Sequence, residues 1–219
     1  SATFFDRPAL RFLTGVYTPE SHAPINESAL SKIAEHNRMA VLNTDRPMVT
    51  LCSGRPISFV EAMSRFIHNK LIPCIGENGV WLYHPTVNAF EMDPAITGEH
   101  LEAVHEASKL LRSMYHAEGV TEPPGKSAAV TLYHSNTEYL RSIMPDVKDE
   151  LLRRDWPFRV SMTWFYINCD LQHINKATGI KRLFGSTGID PSRTAAIGDT
   201  MSDKFMADSV RFFACPANA

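Results

Sequence analysis

Three short runs carry side chains able to handle a phosphate group. Ser53-Gly54-Arg55 offers a hydroxyl and backbone amides in a tight turn, a geometry suited to anions. Gly198-Asp199-Thr200-Met201-Ser202-Asp203 sets two carboxylates four residues apart. Oxygen donors of that kind suit Mg²⁺, which takes one or two carboxylates together with substrate phosphate. Lys176 opens a helical stretch, where a compact cation can hold a phosphate oxygen. Singly, each has an ordinary reading as a common turn, a helix cap with a solvated acid, or a surface lysine. Together they mark strand ends and helix starts, and ligands of open α/β sheets bind beyond the carboxyl ends of the strands.

The elements that must position these runs alternate. Residues 9–13 read as a short strand, and 26–37 as a helix capped by Asn26 with Leu30, Ile33 and Ala34 inward. Residues 48–52 form an apolar strand closed by the Ser53 turn. A helix with Ile57, Val60, Met63 and Ile67 on one face follows, then a buried strand over 71–75. The middle is different. A hairpin spans 81–92, and a helix over 98–116 turns Leu101, Val104, Leu111 and Met114 inward. A strand over 128–133 leads to a helix opened by Ser135-x-x-Glu138 and interrupted at Pro145, then a β-rich run over 158–170. After Lys176 the α/β rhythm returns. A helix over 177–184 ends at Gly185 and Gly188, and strands cover 194–197 and 211–214 around a short helix with Phe205 and Met206. An α/β core over 1–80 and 173–219 is therefore expected to carry an α+β insert over 81–172.

Composition narrows the function. With 22 Lys+Arg against 24 Asp+Glu, a net charge of −2 and 44% hydrophobic residues, the 219-residue chain is too apolar for disorder and lacks a basic footprint for nucleic acid. No apolar run approaches the ~20 residues that span a bilayer, and Asp6 and Arg7 beside Phe4 and Phe5 do not have the layout of a secretory signal. A cytoplasmic location without membrane or nucleic-acid partners is expected. Cys52, Cys74, Cys169 and Cys215 are far apart and read as buried free thiols. The nine scattered histidines suggest no metal site. Tyr133, His134, Trp164 and Tyr166 lie on insert strands, where they either floor a sugar pocket or pack against the sheet.

The runs 50–56 (Thr-Leu-Cys-Ser-Gly-Arg-Pro), Glu77-Asn78-Gly79, Asn175-Lys176, Gly198-Asp199-x-x-x-Asp203 and Pro216-Ala217-Asn218-Ala219 resemble, in order, the haloacid dehalogenase (HAD) superfamily. They are most similar to its Cof-like or type IIB sugar-phosphatase-like members. The resemblance implies a Rossmann-like HAD core with an inserted α+β cap of the C2 type, and Mg²⁺-dependent phosphoryl transfer through an aspartyl-phosphate. It implies that Ser53, Gly54, Arg55, Asn78 and Lys176 contact a small phosphorylated metabolite. Ser53 would bind the phosphate, Lys176 would neutralise it, Asp199 would ligate Mg²⁺ with Asp203 in support, and Glu77-Asn78-Gly79 would form the hinge to the cap. A protein partner or a second copy of the chain stays open.

One motif departs. The family's first strand ends in Asp-x-Asp-Gly, whereas here Gly15 and Thr18-Pro19-Glu20 set a register that places Phe12 at the nucleophile and Thr14 at the acid/base. Phe has no lone pair to attack phosphorus, and Thr cannot exchange a proton with a leaving alkoxide near neutral pH. The loss of a carboxylate also weakens Mg²⁺ binding. Removing the nucleophile of a hydrolase costs about 10⁶ in turnover. The expectation is an impaired pseudophosphatase that keeps its phosphate and cap pockets. The alternative is an active phosphomonoesterase using Asp6, which requires a six-residue slip and still lacks the second Asp and the Gly.

Overall fold

The computed structural model describes residues 25–163 and 165–217. The first-strand expectations at 9–13, including Asp6, Phe12 and Thr14 in the same segment, lie outside the described residues, as do Trp164, Asn218 and Ala219.

Helix α1 (Glu27–Leu42) starts where Asn26 Oδ1 accepts from the Ala29 N–H at 2.9 Å. It continues past Asn37, where the polar residue had suggested an end, because Asn37 is itself buried. Its amide donates to Ile67 O at 2.7 Å and Val49 O at 3.0 Å and accepts from the Val49 N–H at 2.8 Å. Among the described residues the run 48–52 makes one parallel bridge, between Cys52 and Ile75. Around it the Ile75 N–H donates to Leu51 O at 2.7 Å and the Ser53 N–H donates to Ile75 O at 2.9 Å. Helix α2 (Ile57–Phe66) buries Val60 and Met63 beside this pairing, with Leu30 and Ile67 closing the cluster.

Strands β1 (Cys74–Gly76), β2 (Trp81–His84) and β3 (Ala89–Met92) form one antiparallel sheet in that order. The hairpin, counted with the insert on sequence grounds, is thus hydrogen-bonded to the strand that precedes it. Leu82 packs with Ile75, Ile180, Leu183 and Met206, whereas Trp81 and Met92 lie against the apolar core of the insert. That core stands between a sheet and two helices, α3 (Gly98–Tyr115) and α4 (Thr137–Arg153). The sheet runs β4 (Ala129–Tyr133), β6 (Tyr166–Leu171), β5 (Phe158–Thr163), antiparallel throughout. Alternation sends Val130, Leu132, Ile167 and Cys169 toward the helices and Thr131, Asn168 and Ser161 to the other face.

Several local expectations are corrected. Asn136, not Ser135, caps α4, because its Oδ1 accepts from both the Glu138 and Tyr139 N–H groups. Pro145 does not break α4: the loss of one backbone donor is outweighed by Leu140, Ile143, Val147 and Leu151, which bury one continuous stripe. On α3 the buried stripe is Ala103, Val104, Ala107, Leu111 and Tyr115, which rotates Leu101 to the surface. Cys215 is exposed, since it follows the last strand.

Helix α5 (Lys176–Thr187) runs through Gly185 and ends at Gly188, whose left-handed backbone (φ 68°) lets its N–H reach Phe184 O at 2.8 Å. Strand β7 (Ala195–Ile197), helix α6 (Lys204–Ala207) and strand β8 (Phe212–Ala214) complete the described fold, with β7 and β8 parallel. The result is a mixed α/β fold. Among the described residues no helix is long and apolar enough to cross a membrane.

The turn between β1 and β2 is where glycine is obligatory. Gly79 has φ 115°, and a Cβ there would lie 2.2 Å from Asn175 O, directly against the start of α5. Replacing Gly79 by Ala should destabilise the fold by about 2–4 kcal/mol through backbone strain and steric overlap. Urea unfolding checks this, and an unchanged midpoint would show that the turn and α5 are not in contact.

Candidate functional site

The Ser53-Gly54-Arg55 turn is fixed by the residues that follow β1. The Asn78 N–H donates to Ser53 O at 3.0 Å and the Glu77 N–H to Arg55 O at 2.9 Å. Within the turn, the Arg55 N–H donates to Ser53 Oγ at 3.2 Å, which uses the hydroxyl as an acceptor and leaves its own proton to donate. Glu77 and Asn78 both hold positive φ, 48° and 55°, the backbone reversal that brings their N–H groups round to the turn. A Cβ on Gly54 would lie 2.9 Å from Asn78 Oδ1, so this position admits only glycine without displacing the amide. That Oδ1 is buried and has no hydrogen-bond partner, while Nδ2 of the same side chain donates to Asp170 Oδ2 at 3.1 Å. The Arg55 guanidinium stacks 4.8 Å from the centroid of the Phe59 ring.

Lys176 begins α5 behind Asn175, whose Oδ1 accepts from the Ala177 and Thr178 N–H groups. Its ammonium is buried and donates to Asp203 Oδ1. The other oxygen of Asp203 accepts from the Asp199 N–H, the Thr200 N–H and the Thr200 hydroxyl, each at 2.9 Å. Burial pushes the Asp203 carboxyl up, but the Lys176 charge and these hydrogen bonds outweigh it and hold the group below its ordinary value of 3.8. Cys52, one residue before Ser53, feels the charges of both Lys176 and Asp203, and burial above all pushes its thiol up. Cys52 also packs against the apolar cluster that holds Ile180 of α5 and Met206, which sets the end of the run 48–52 beside the elements that carry Lys176 and follow Asp203.

The structure brings Ser53, Gly54, Arg55 and Asn78 into one turn assembly, and Lys176, Asp199 and Asp203 into a second one adjoining it through Cys52. With one oxygen on Lys176 and the other accepting three hydrogen bonds, the Asp203 carboxylate is turned to protein partners. It fixes the backbone from which Asp199 projects. No group of three or more His, Cys, Asp or Glu side chains able to hold a metal gathers among the described residues. Asp199 is the carboxylate of this run that could hold a divalent cation, as one oxygen donor.

Side chains around these runs complete the assembly. The Glu77 carboxylate is buried and accepts from the Ser127 N–H at 2.8 Å and the Ala128 N–H at 3.3 Å, tying the turn to the entry of β4. Arg182 on α5 donates to Gly79 O (3.1 Å), Val80 O (3.4 Å) and Glu91 O (2.9 Å), and nothing in its local sequence marks it. Thr200 could have been found as the opener of a capping box with Asp203. Of the aromatic set, Tyr133 and Tyr166 pair with each other at 5.5 Å between ring centroids, and His134 lies 4.9 Å from Tyr139.

Lys176→Met should cost about 3–5 kcal/mol, because it leaves the Asp203 carboxylate buried without its cation. The lowered Asp203 value also sets the acid limb. The unfolded chain binds the proton first, so the pair's stabilisation is complete at neutral pH and is lost as pH falls from 3.8 through the lowered value. Denaturant titrations across pH check both, with Asp203→Asn expected to flatten that limb.

A family model described as haloacid dehalogenase-like hydrolase matches residues 99–219, more than half of the chain. A phosphoglycolate phosphatase of Methanoculleus marisnigri is 27% identical over 177 residues, covering 78% of this chain and 70% of that protein. Among solved structures, a haloacid dehalogenase-like hydrolase from Bacteroides thetaiotaomicron superposes with a TM-score of 0.65 at 14% identity, over 92% of this chain and 85% of its own. The sucrose-phosphatase of Synechocystis sp. PCC6803 does so with 0.55 at 14% identity, over 85% and 75%. With the family model spanning the insert's helices, α5 and the Asp199–Asp203 run, the chain belongs to the haloacid dehalogenase-like hydrolases.

Proposed function

We propose that the chain binds a small phosphorylated metabolite in the cytoplasm, between the Ser53-Gly54-Arg55 turn and the start of α5, as a phosphatase-like protein with impaired turnover. The observation that carries the binding half is the placement of the strapped Ser53 turn next to the buried Lys176 ammonium. Lys176 has three N–H donors and Asp203 occupies one, so two can serve phosphate oxygens together with the Ser53 hydroxyl. Asp203 holds the Asp199 N–H, and Asp199 would carry Mg²⁺ as its only protein carboxylate among the described residues. When bound, the ion neutralises charge on the phosphate oxygens.

The impaired half rests on the sequence. A phenyl ring at position 12 forms no bond to phosphorus, and a threonine at 14 has no proton to exchange near neutral pH. The match to a phosphoglycolate phosphatase favours a second reading, an active phosphomonoesterase, for which Asp6 is the candidate nucleophile.

Phosphate release from a panel of phosphomonoesters with Mg²⁺ separates the two. The proposal expects no turnover above background in the native chain, and turnover in the Phe12→Asp/Thr14→Asp double variant. Native turnover that Asp6→Asn abolishes would overturn it. Calorimetric titration with inorganic phosphate should give binding that Ser53→Ala weakens about tenfold, the loss of one charge-assisted hydrogen bond.

A further inference from the structure

The polar face of the insert sheet begins at the proposed phosphate turn. Asp170 on β6 receives Asn78 Nδ2 at 3.1 Å, and Asn168 is its next neighbour on the same face. From the other side, a Cβ on Gly125 would lie 3.3 Å from the Pro56 side chain, so Lys126 follows directly on a contact with the chain that leaves Ser53-Gly54-Arg55. Both approaches converge on one neighbourhood.

Among the described residues two cations reach this face, and only one is committed. Arg159 donates to Gln172 O at 3.4 Å and Ile174 O at 3.3 Å, lies 3.9 Å from Asp170, and stacks 5.1 Å from the Phe205 ring centroid. Its role is to hold the insert's exit against α6. Lys126 is half-buried and makes one long hydrogen bond, to Asn168 Oδ1 at 3.4 Å. That acceptor is neutral and already receives the Thr131 hydroxyl at 3.3 Å. The nearby Glu77 carboxylate is turned to the Ser127 and Ala128 N–H groups. Among the described residues no carboxylate comes within ion-pair distance of Lys126. A half-buried ammonium with one weak neutral acceptor leaves donors unused, although Glu77 feels its charge at longer range.

We propose that Lys126, seated on Asn168 beside the phosphate turn, is a specificity-determining residue that receives a carboxylate on the organic part of the phosphomonoester. One ammonium matches one negative charge. The neutral Asn168, held by Thr131 and by its own donation to Thr163 Oγ1 at 3.1 Å, fixes the lysine's direction without cancelling its charge. The ligand class is a short phosphomonoester with a carboxylate a few bonds from the ester oxygen. This inference rests on the phosphate-binding reading above.

The test uses three probes by calorimetric titration: inorganic phosphate, ethyl phosphate and phosphoglycolate, the last two alike in size except for the carboxylate. The native chain should bind phosphoglycolate about tenfold more tightly than ethyl phosphate, the scale of one charge-assisted contact. Lys126→Gln should erase that preference, leaving phosphate and ethyl phosphate affinities and the thermal midpoint unchanged, and Lys126→Arg should keep part of it. Equal affinity for the two esters in the native chain, or a preference that survives Lys126→Gln, overturns the carboxylate assignment and leaves phosphate binding intact. Failure of all three probes to bind overturns the phosphate reading and the assignment with it.

Discussion

The ion pair between Lys176 and Asp203 is the constraint on which the site depends. Both groups are buried, and neither could be left alone there, because an unpaired charge in that setting costs several kcal/mol. The lysine also opens a helix, where the local dipole disfavours a cation. Asp203 answers both problems, and its second oxygen draws in the Asp199 and Thr200 N–H groups. One carboxylate therefore sets the position of the Lys176 ammonium and of the loop that carries Asp199.

Close packing makes that arrangement stiff. A Cβ on Gly198 would lie 2.2 Å from the Asp203 Cβ, so the strand end and the acid occupy the same small volume. Gly179 is close-packed as well, since its Cβ would fall 2.8 Å from the Ile75 side chain and 3.0 Å from the Gly79 Cα. Helix α5 is thereby pressed against the β1–β2 turn on one side and bonded to Asp203 on the other. Site precision here comes from backbone contact and not from long side chains reaching into open space.

Much of this was legible in the residues. The Ser-Gly-Arg turn, the Asn-Lys helix start and the Gly-Asp run all occur where the polypeptide reverses from strand to helix, and each has chemistry visible in its letters. Tertiary context was not visible. Asn37 looks like a helix terminus until Val49 and Ile67 supply the carbonyls that let an amide live in the core. Pro145 looks like a break until a stripe of four buried side chains holds the helix across it. The spacing of Asp199 and Asp203 shows that two acids are near, and not that Asp203 turns one oxygen to Lys176 and the other to the Asp199 and Thr200 N–H groups. The first motif, where Phe12 and Thr14 stand, is read from sequence alone.

Arg182 has a mechanical consequence. Its guanidinium fastens the carbonyls of Gly79, Val80 and Glu91 to α5, so the hairpin moves with the helix that carries Lys176. The two passages between the hairpin and the insert, over 93–97 and 172–175, meet where His173 Nε2 faces Ala95 O at 3.2 Å and its ring stacks on His100. The insert sheet is fastened to the same turn, through Asn78 on Asp170 and through Glu77 on Ser127 and Ala128, so hairpin, helix and sheet share their anchorage at one short stretch of backbone.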